Sequence, residues 1–546
     1  MRSASTRRSV TSSRSCSAEH WPTGGACAGG GARPEAQTEI IASVSGVTDV
    51  EAGKARELIC VNPASGERIG AVAASTAADV ARAVSDVADV QTLWRQLPLP
   101  ARARQLRRAA RTLLDLGSEA SDLIAREQGR PVTEAWTGEV VPAVRAMRWM
   151  STAGRRELTS RRVRGNPPWP LPLRSTLAVE PLAVVISELD IGSPWRAAAE
   201  RAGAALIAGA GVVLAPSPRC ALVGDWFGQT MSRAGVPEGL IRVVQGFDPG
   251  ASTLAAAGAD RLLGPAPLTG GHRGAADAAA PRAGAAMLVL DDADVDLALA
   301  AASWGAFAHA GQGPFAIRRV FLASKLGERF VEGLAWRATQ LRIGDPQRWD
   351  TEVGPLADRE ALGSLQAELD AALQAGATRH CGGAVEVTGL GGAFCAPVVL
   401  SGSDIERSVP GPAVAVTILP SEADALAEAA AGGPWSALSV WAGDVAKAAR
   451  VAADVPTGSV WINAHDPSLD PAALTLALNA GVRRRPLGVG VGRDARWYPY
   501  ADTVGPGARA VARLLYGRES ERTRIAVNDR SPLMRAARRA LRSRGR

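Results

Sequence analysis

Apolar positions along the chain change period in a way that lays out its elements. "ELICVNPASGERIGAVAAS" gives two strands around a Pro-Ala-Ser-Gly turn. Apolar residues at helical spacing then predict helices near 76–94, 98–116, 118–128 and 133–156. "TSRRVRGNPPWPLPLRSTLAVEPLA" is Pro-rich and then extended, like an arm or edge ribbon. Short continuous apolar strands follow, separated by amphipathic helices. "LAVVISE" precedes a helix over 194–208, "GVVLAPS" one near 219–234, and "LIRVVQG" a short helix and the strand "RLLG". A second alternation runs through "MLVLD", helix 294–308, "IRRVFLA", helix 325–341, "AVAVTIL", "ALSVWAG", helix 443–454 and "GSVWIN". Continuous apolar strands between helices mean parallel sheets covered on both sides. The pattern predicts two α/β domains.

Composition narrows the class. The 546 residues are 47% hydrophobic, with 58 Gly and 35 Pro, a globular make-up rich in turns. No apolar run approaches the roughly 20 residues that cross a bilayer. The net charge of +8 sits mainly in the tails. Residues 1–37 carry five Arg against two Glu, and 521–546 carry nine Arg against one Glu and one Asp. The body between is near neutral, so no nucleic-acid partner is expected.

Segment 1–37 is Ser-, Arg- and Gly-rich and reads as a disordered basic extension, transit-peptide-like or translated from an upstream start. The final "SPLMRAARRALRSRGR" can form a basic amphipathic helix able to contact acidic surfaces; a frayed, solvated tail is the favoured reading. Six scattered cysteines without a C-x-x-C pair read as reduced thiols in a cytoplasmic protein. Five scattered histidines show no metal-ligand cluster.

One stretch raises a chemical question. In "AFAHAGQGPFAIRRVFLAS" a helix meets the tight Gly311-Gln312-Gly313 turn and a strand leaves it. Such a turn suits the display of a reactive side chain, yet its apex is Pro314, which can neither attack nor transfer a proton.

"PLAVVISELDIGSPW", "ALIAGAGVVLAPSP", "AGVPEGLIRVVQG", "MLVLDDADVDLAL", "HAGQGPFAIRRVFL", "GERFVEGL" and "GSVWIN" stand in the order and setting of the aldehyde dehydrogenase superfamily. The resemblance covers about residues 40–510. It implies two Rossmann-like parallel-sheet α/β domains with an oligomerisation arm. Residues 38–280 form the cofactor-type domain, interrupted by the arm 158–178, and 281–496 the catalytic-type domain. An oligomerisation strand at 497–512 and a basic tail at 513–546 follow.

The resemblance also implies NAD(P)-dependent oxidation of an aldehyde to a carboxylic acid, with a cysteine nucleophile, an asparagine oxyanion donor and a glutamate base. Here the matching positions hold Pro314, Gly192 and, thirty-four residues ahead of Pro314, Ala280. The cofactor positions hold Ala215, Ser217, Gly264 and Ser408, with Gly411 and Pro412 kept. "GPAPLTGGHRGAADAAAP" carries Pro265 and Pro267 where the family opens a helix toward the pyrophosphate, and is about ten residues too short for it. NAD or NADP is therefore the implied cofactor, with a degenerate site.

His309 and Glu188, with Asp190 nearby, are the candidate substitutes for the lost acid–base groups. The competing reading has His309 capping a helix or meeting solvent, and the two acids in a solvated loop. Arg319 is expected to be structural, Cys220 and Cys395 to be buried thiols, and Asp291-Asp292-Ala293-Asp294 to cap the next helix.

The expected function is that of an impaired family member, a pseudoenzyme serving as a regulatory or structural subunit. It would work as a homo-oligomer or mixed with an active relative. The alternatives are an active NAD(P)-dependent oxidoreductase with a rearranged site and a non-catalytic small-molecule or protein-binding module.

Overall fold

The computed structural model describes residues 57–163, 173–247, 252–264, 282–402, 411–466 and 470–490. The extension 1–37, Ala280, Ser408 and the segment 497–546 lie outside these residues.

The chain opens with the antiparallel pair β1 (Glu57–Val61) and β2 (Arg68–Ala73). Three helices follow, α1 (Ala77–Trp94), α2 (Leu99–Asp115) and α3 (Gly117–Gln128). Helix α1 shows why they form here. Thr76 and Asp79 make a reciprocal capping box, and Val80, Ala83, Val84, Val87, Gln91 and Trp94 line one buried face.

The helix expected over 133–156 is not uniform. Its middle, Ala135–Val140, is a π-turn, and α4 spans only Val141–Ser151. Pro142 has no N–H for the Gly138 carbonyl, so the preceding turn widens and the Val141 N–H reaches back five residues to Trp136.

Strands β3 (Arg161–Val163) and β4 (Leu173–Pro181) follow, and then the first parallel unit. It comprises β5 (Val184–Leu189), α5 (Pro194–Ala208), β6 (Gly211–Pro216), α6 (Ala221–Arg233), β7 (Ile241–Val243), α7 (Ser252–Ala256) and β8 (Arg261–Leu263). The sheet order is β7-β6-β5-β8, all parallel, and β5 and β6 are buried throughout. The order reverses between β5 and β8, so ligand crevices are expected beyond their carboxyl ends.

The second unit runs through β9 (Arg282–Val289), α8 (Val295–Phe307), β10 (Ile317–Ala323), α9 (Ser324–Gln340) and α10 (Arg359–Gln374). It continues with β11 (Thr378–Val387), β12 (Leu390–Ser401), β13 (Ala413–Leu419), α11 (Glu422–Ala431), β14 (Trp435–Trp441), α12 (Val445–Ala452) and β15 (Thr457–Ile462). Its seven-stranded sheet has the order β11-β12-β13-β10-β9-β14-β15. All neighbours are parallel except β11, which pairs antiparallel with β12. The sequence reading did not include this hairpin, because β11 is half exposed and glycine-rich rather than a continuous apolar run. Apolar clusters cover both faces of the sheet.

The chain returns through α13 (Pro471–Ala480) to β16 (Val482–Gly490), which pairs with β4 along its whole length. The arm is thus a three-stranded antiparallel sheet, β16-β4-β3. Residues assigned from sequence to the end of the catalytic-type domain close it. The polar, arginine-rich face of "VRRRPLGVG" hid that strand from an apolar-run criterion.

Candidate functional site

The turn between α8 and β10 is built from uncommon backbone. His309, Ala310 and Gly311 all have positive φ, at 53°, 49° and 66°. Two consecutive non-glycine residues there carry a steric cost that surrounding contacts must offset. Those contacts are present. The His309 N–H donates to Glu134 at 2.7 Å. Gln312 donates from its backbone and side chain to the His309 carbonyl, at 3.0 and 3.1 Å, and its side-chain oxygen accepts from Ala357 N at 2.8 Å. Buried Arg318 donates to the carbonyls of both Gly311 and Gly411.

Sequence reading expected its neighbour Arg319 to be structural and did not single out Arg318. On a strand, neighbours face opposite ways. Arg319 stacks 4.6 Å over the Phe321 ring and meets Thr417 and Glu428, while Arg318 clamps the turn.

Beside this turn lies a cavity of about 430 Å³. Its wall includes Gly192 and Ser193 after β5, Arg130 after α3, and Thr137 and Gly138 from the π-turn. Ala308, His309 and Gly313 to Ala316 contribute the apex, and His465 and Asp466 follow β15. Gly192 and Pro314, far apart in sequence, are in contact across it. A Cβ built on Gly192 would lie 2.6 Å from Pro314 Cδ, closer than real Cβ atoms come to another heavy atom. The Gly192 carbonyl accepts from Arg130, and its N–H donates to Asp190 at 3.0 Å. Pro314 is fixed through its carbonyl, which accepts from the Ser436 hydroxyl at 3.0 Å.

The charges around the cavity are paired. Arg130 lies 3.6 Å from Glu139, both buried. Arg196 meets Glu200 at 3.0 Å and Asp466 at 3.1 Å. Burial pushes the carboxyls of Glu139 and Asp190 upward, and that of Glu134 to about 7, against the pull of Arg130 or Arg201. His465 bridges Ser439 Oγ at 2.6 Å and the Phe315 carbonyl at 2.9 Å. A carbonyl only accepts, so Nε2 carries the proton, and the serine hydroxyl donates to Nδ1. Burial lowers the basicity of His465, consistent with this neutral form.

Glu134 gives a pH prediction. Its folded pKa lies above its unfolded one, so its contribution to stability is full below about 4.5 and is lost as pH rises through about 7. Replacement by Gln keeps an acceptor for the His309 N–H. The stability of wild type relative to Glu134→Gln is therefore expected to fall by on the order of 2 kcal/mol between these limits, measured by urea unfolding. A constant difference across the range would refute it.

The two candidate substitutes are placed differently. His309 lines the cavity and is 2% exposed; it neither caps a helix nor meets solvent. Burial first, then Arg130, holds its basicity well below the usual histidine range, against the Ile191 backbone. Glu188 is not among the residues lining the cavity. It sits on β5, 2% exposed, with its carboxylate 3.6 Å from the Cβ position of Gly264 and with Arg201 beside it. Asp190 is half-buried. Neither acid lies in a solvated loop.

None of the four described thiols lines the cavity. Burial raises Cys60 and Cys395 to about 12 and Cys220 and Cys381 above their usual value, so each is a thiol rather than a thiolate near neutrality. Cys220 ends the 3-10 turn Pro218–Cys220 ahead of α6, and Cys395 lies on β12. In the acidic run, Asp294 caps α8, while Asp292 accepts from Asp444 N at 2.8 Å.

At the end of β6, Ala215 is buried and offers no polar group. The Ser217 hydroxyl accepts from Arg219 N, and Arg219 reaches Asp358 of the second unit at 2.6 Å. A carboxylate, Glu188, lies beside Gly264. Of these described positions, Ala215 and Gly264 bring no polar side chain, while Ser217 and Glu188 bring a hydroxyl and a carboxylate. Among the described residues no group of three His, Cys, Asp or Glu side chains is placed to hold a metal. No described helix is long and apolar enough to cross a membrane.

Residues 50–475 match the family model described as "Aldehyde dehydrogenase family". Betaine aldehyde dehydrogenase 2 of Rhizobium meliloti is 29% identical over 470 residues, covering 82% of this chain and 93% of its own length. Betaine aldehyde dehydrogenase of Cereibacter sphaeroides (strain ATCC 17029) is 30% identical over 428 residues, covering 74% and 85%. Among solved structures, an aldehyde dehydrogenase from Burkholderia cenocepacia superposes with a TM-score of 0.70 at 23% identity, covering 83% of this chain and 98% of that one. PnpE in complex with nicotinamide adenine dinucleotide gives 0.70 at 22% identity, with the same coverages.

Proposed function

This chain belongs to the aldehyde dehydrogenase family, and from that premise we propose that it is a catalytically impaired member, keeping the fold and the cleft of an NAD(P)-dependent aldehyde oxidation without the reaction. One observation carries the reading: the Pro314 ring lies against Gly192, the two positions that the sequence resemblance matches to the family's nucleophile and amide donor. Proline brings no thiol and no N–H, and glycine brings no side chain. Capture of a carbonyl requires a nucleophile and preorganised donors. Loss of one such donor costs about 10²–10³ in turnover, and loss of a nucleophile about 10⁶ in the well-studied serine hydrolase case. His309 lines the cavity, but a buried neutral imidazole is a poor nucleophile and has no thiol to activate. The buried, neutral thiols elsewhere support the same conclusion. The misfit at Ala215 and Glu188 supports weak or absent binding of the dinucleotide. Such a protein acts as a binding or partner subunit, and pairing with an active relative through the arm is one form of it.

The test exposes the purified chain to an aldehyde panel with NAD and NADP. The expected result is no NADH or NADPH absorbance and no covalent acyl adduct by intact mass. Calorimetric titration with either dinucleotide should give no saturable heat at concentrations that saturate active relatives. An adduct on any cavity residue would overturn the proposal.

A further inference from the structure

Helices α2 and α4 pack side by side and turn an unmatched positive face to solvent. They run antiparallel. A Cβ on Gly117, just past α2, would lie 2.9 Å from Val140 Cγ1, just ahead of α4, and further along Arg107 Nη1 donates to the Ser151 carbonyl at 3.4 Å. Their apolar sides, with Leu106 and Leu113 on one and Ala143 and Met147 on the other, share one buried cluster. What remains outward is arginine. Arg104, Arg108 and Arg111 recur four and three apart on the exposed side of α2. Arg148 is exposed on α4, and Arg155 and Arg156 on the turn Gly154–Leu158 after it.

The two helices together hold seven arginines and one acid, Asp115 at the end of α2. Among the described residues none of the six exposed arginines forms an ion pair. Like charges three and four apart destabilise a helix, so this density costs the free protein something that an anionic surface would offset. The neighbouring apolar groups choose the surface. Leu114 is 49% exposed and Val141 38%, both at the same end of the helix pair. A bilayer interface receives arginine on its phosphates and apolar side chains beneath them, whereas the phosphates of a nucleic acid offer no apolar layer. Segment 521–546 carries nine further Arg, and stable attachment of a peripheral protein takes two signals.

We propose that the α2–α4 face docks this protein on an anionic lipid bilayer, its arginines on the headgroup phosphates and Leu114 and Val141 entering the interface. The face lies outside the cleft, and its role is independent of whether the cleft turns over.

The full chain is mixed with phosphatidylcholine vesicles and with vesicles about one-third phosphatidylglycerol, and the bound fraction is measured by sedimentation. Binding to the anionic vesicles is expected to be at least about tenfold tighter and to weaken with added salt. Arg104→Gln, Arg108→Gln and Arg111→Gln together should weaken it about a hundredfold, about fivefold for each charge. Arg148→Gln with Arg155→Gln and Arg156→Gln should give a second loss of similar size from a different element. Three exposed arginines elsewhere, Arg82, Arg329 and Arg348, changed to Gln remove the same charge and should cost less than about threefold. The basic tail is intact in every variant, so it cannot account for a difference among them. Equal binding to neutral vesicles, no binding to either, or the same loss in all three variants would overturn the proposal. So would duplex DNA that binds the chain more tightly than anionic vesicles at equal phosphate concentration, which would give the face to a nucleic acid instead.

Discussion

Gly192→Asn is expected to destabilise the protein by about 2–3 kcal/mol, and most of that loss should vanish when Pro314 is replaced by Cys in the same chain. The reason is steric and local. The new Cβ would stand 2.6 Å from Pro314 Cδ and 3.2 Å from Asp190 Oδ1. Neither side can easily move, because Gly192 is tied at both its carbonyl and its N–H, and Pro314 is tied at its carbonyl. Cysteine at 314 removes the ring atom that causes the clash. Urea unfolding of the two single variants and the double variant closes the cycle, with an expected coupling of about 2 kcal/mol. Strictly additive effects would show that the two residues are not a matched pair. The same geometry predicts that Gly192→Asn alone restores no turnover, because the Pro314 ring occupies the space its side chain needs.

Gly311→Ala should be more damaging, by about 4 kcal/mol, enough to compromise folding. Here two effects act together. The residue has φ +66°, where a Cβ is strained in any surroundings. That Cβ would also meet the Gly411 carbonyl oxygen at 2.0 Å and its carbon at 2.5 Å. The obstacle is backbone, pinned by Arg318, which holds Gly311 and Gly411 together. No side-chain rotation can relieve it. The contrast is Gly313→Ala, where nothing lies within 4 Å of the new Cβ and little change is expected. If the two alanine variants unfold at the same urea concentration, the clamp has no energetic weight.

The first of these tests concerns function as well as stability. On the reading proposed above, Gly192→Asn needs Pro314 removed with it, because the pyrrolidine ring fills volume that the amide side chain would need.

Much of the fold was legible along the chain because it is written in local periodicity. β5 and β6 are continuous apolar runs and proved buried from end to end. Helix α1 is announced by Thr76 and by apolar residues three and four apart. Among the strands that escaped, β11 and β16 are glycine-rich or arginine-rich, and β16 is paired by a partner far away, Leu173–Pro181. The π-turn escaped because a single proline, Pro142, reset a hydrogen-bond register inside an otherwise helical pattern.

By itself, then, the sequence determined most of the element order and the two parallel α/β units, and through its resemblance it raised the expectation that residues at the chemical positions are replaced. Side-chain identity and local period are properties of the chain, independent of how it is folded. Only the tertiary structure decided which of those residues meet. It set Gly192 against Pro314, placed Arg318 as the clamp on the turn, and brought His309 to the cavity wall beside Arg130 while leaving Glu188 in the sheet. Those are matters of distance, burial and charge pairing between segments mostly far apart in the chain, and no local pattern encodes them.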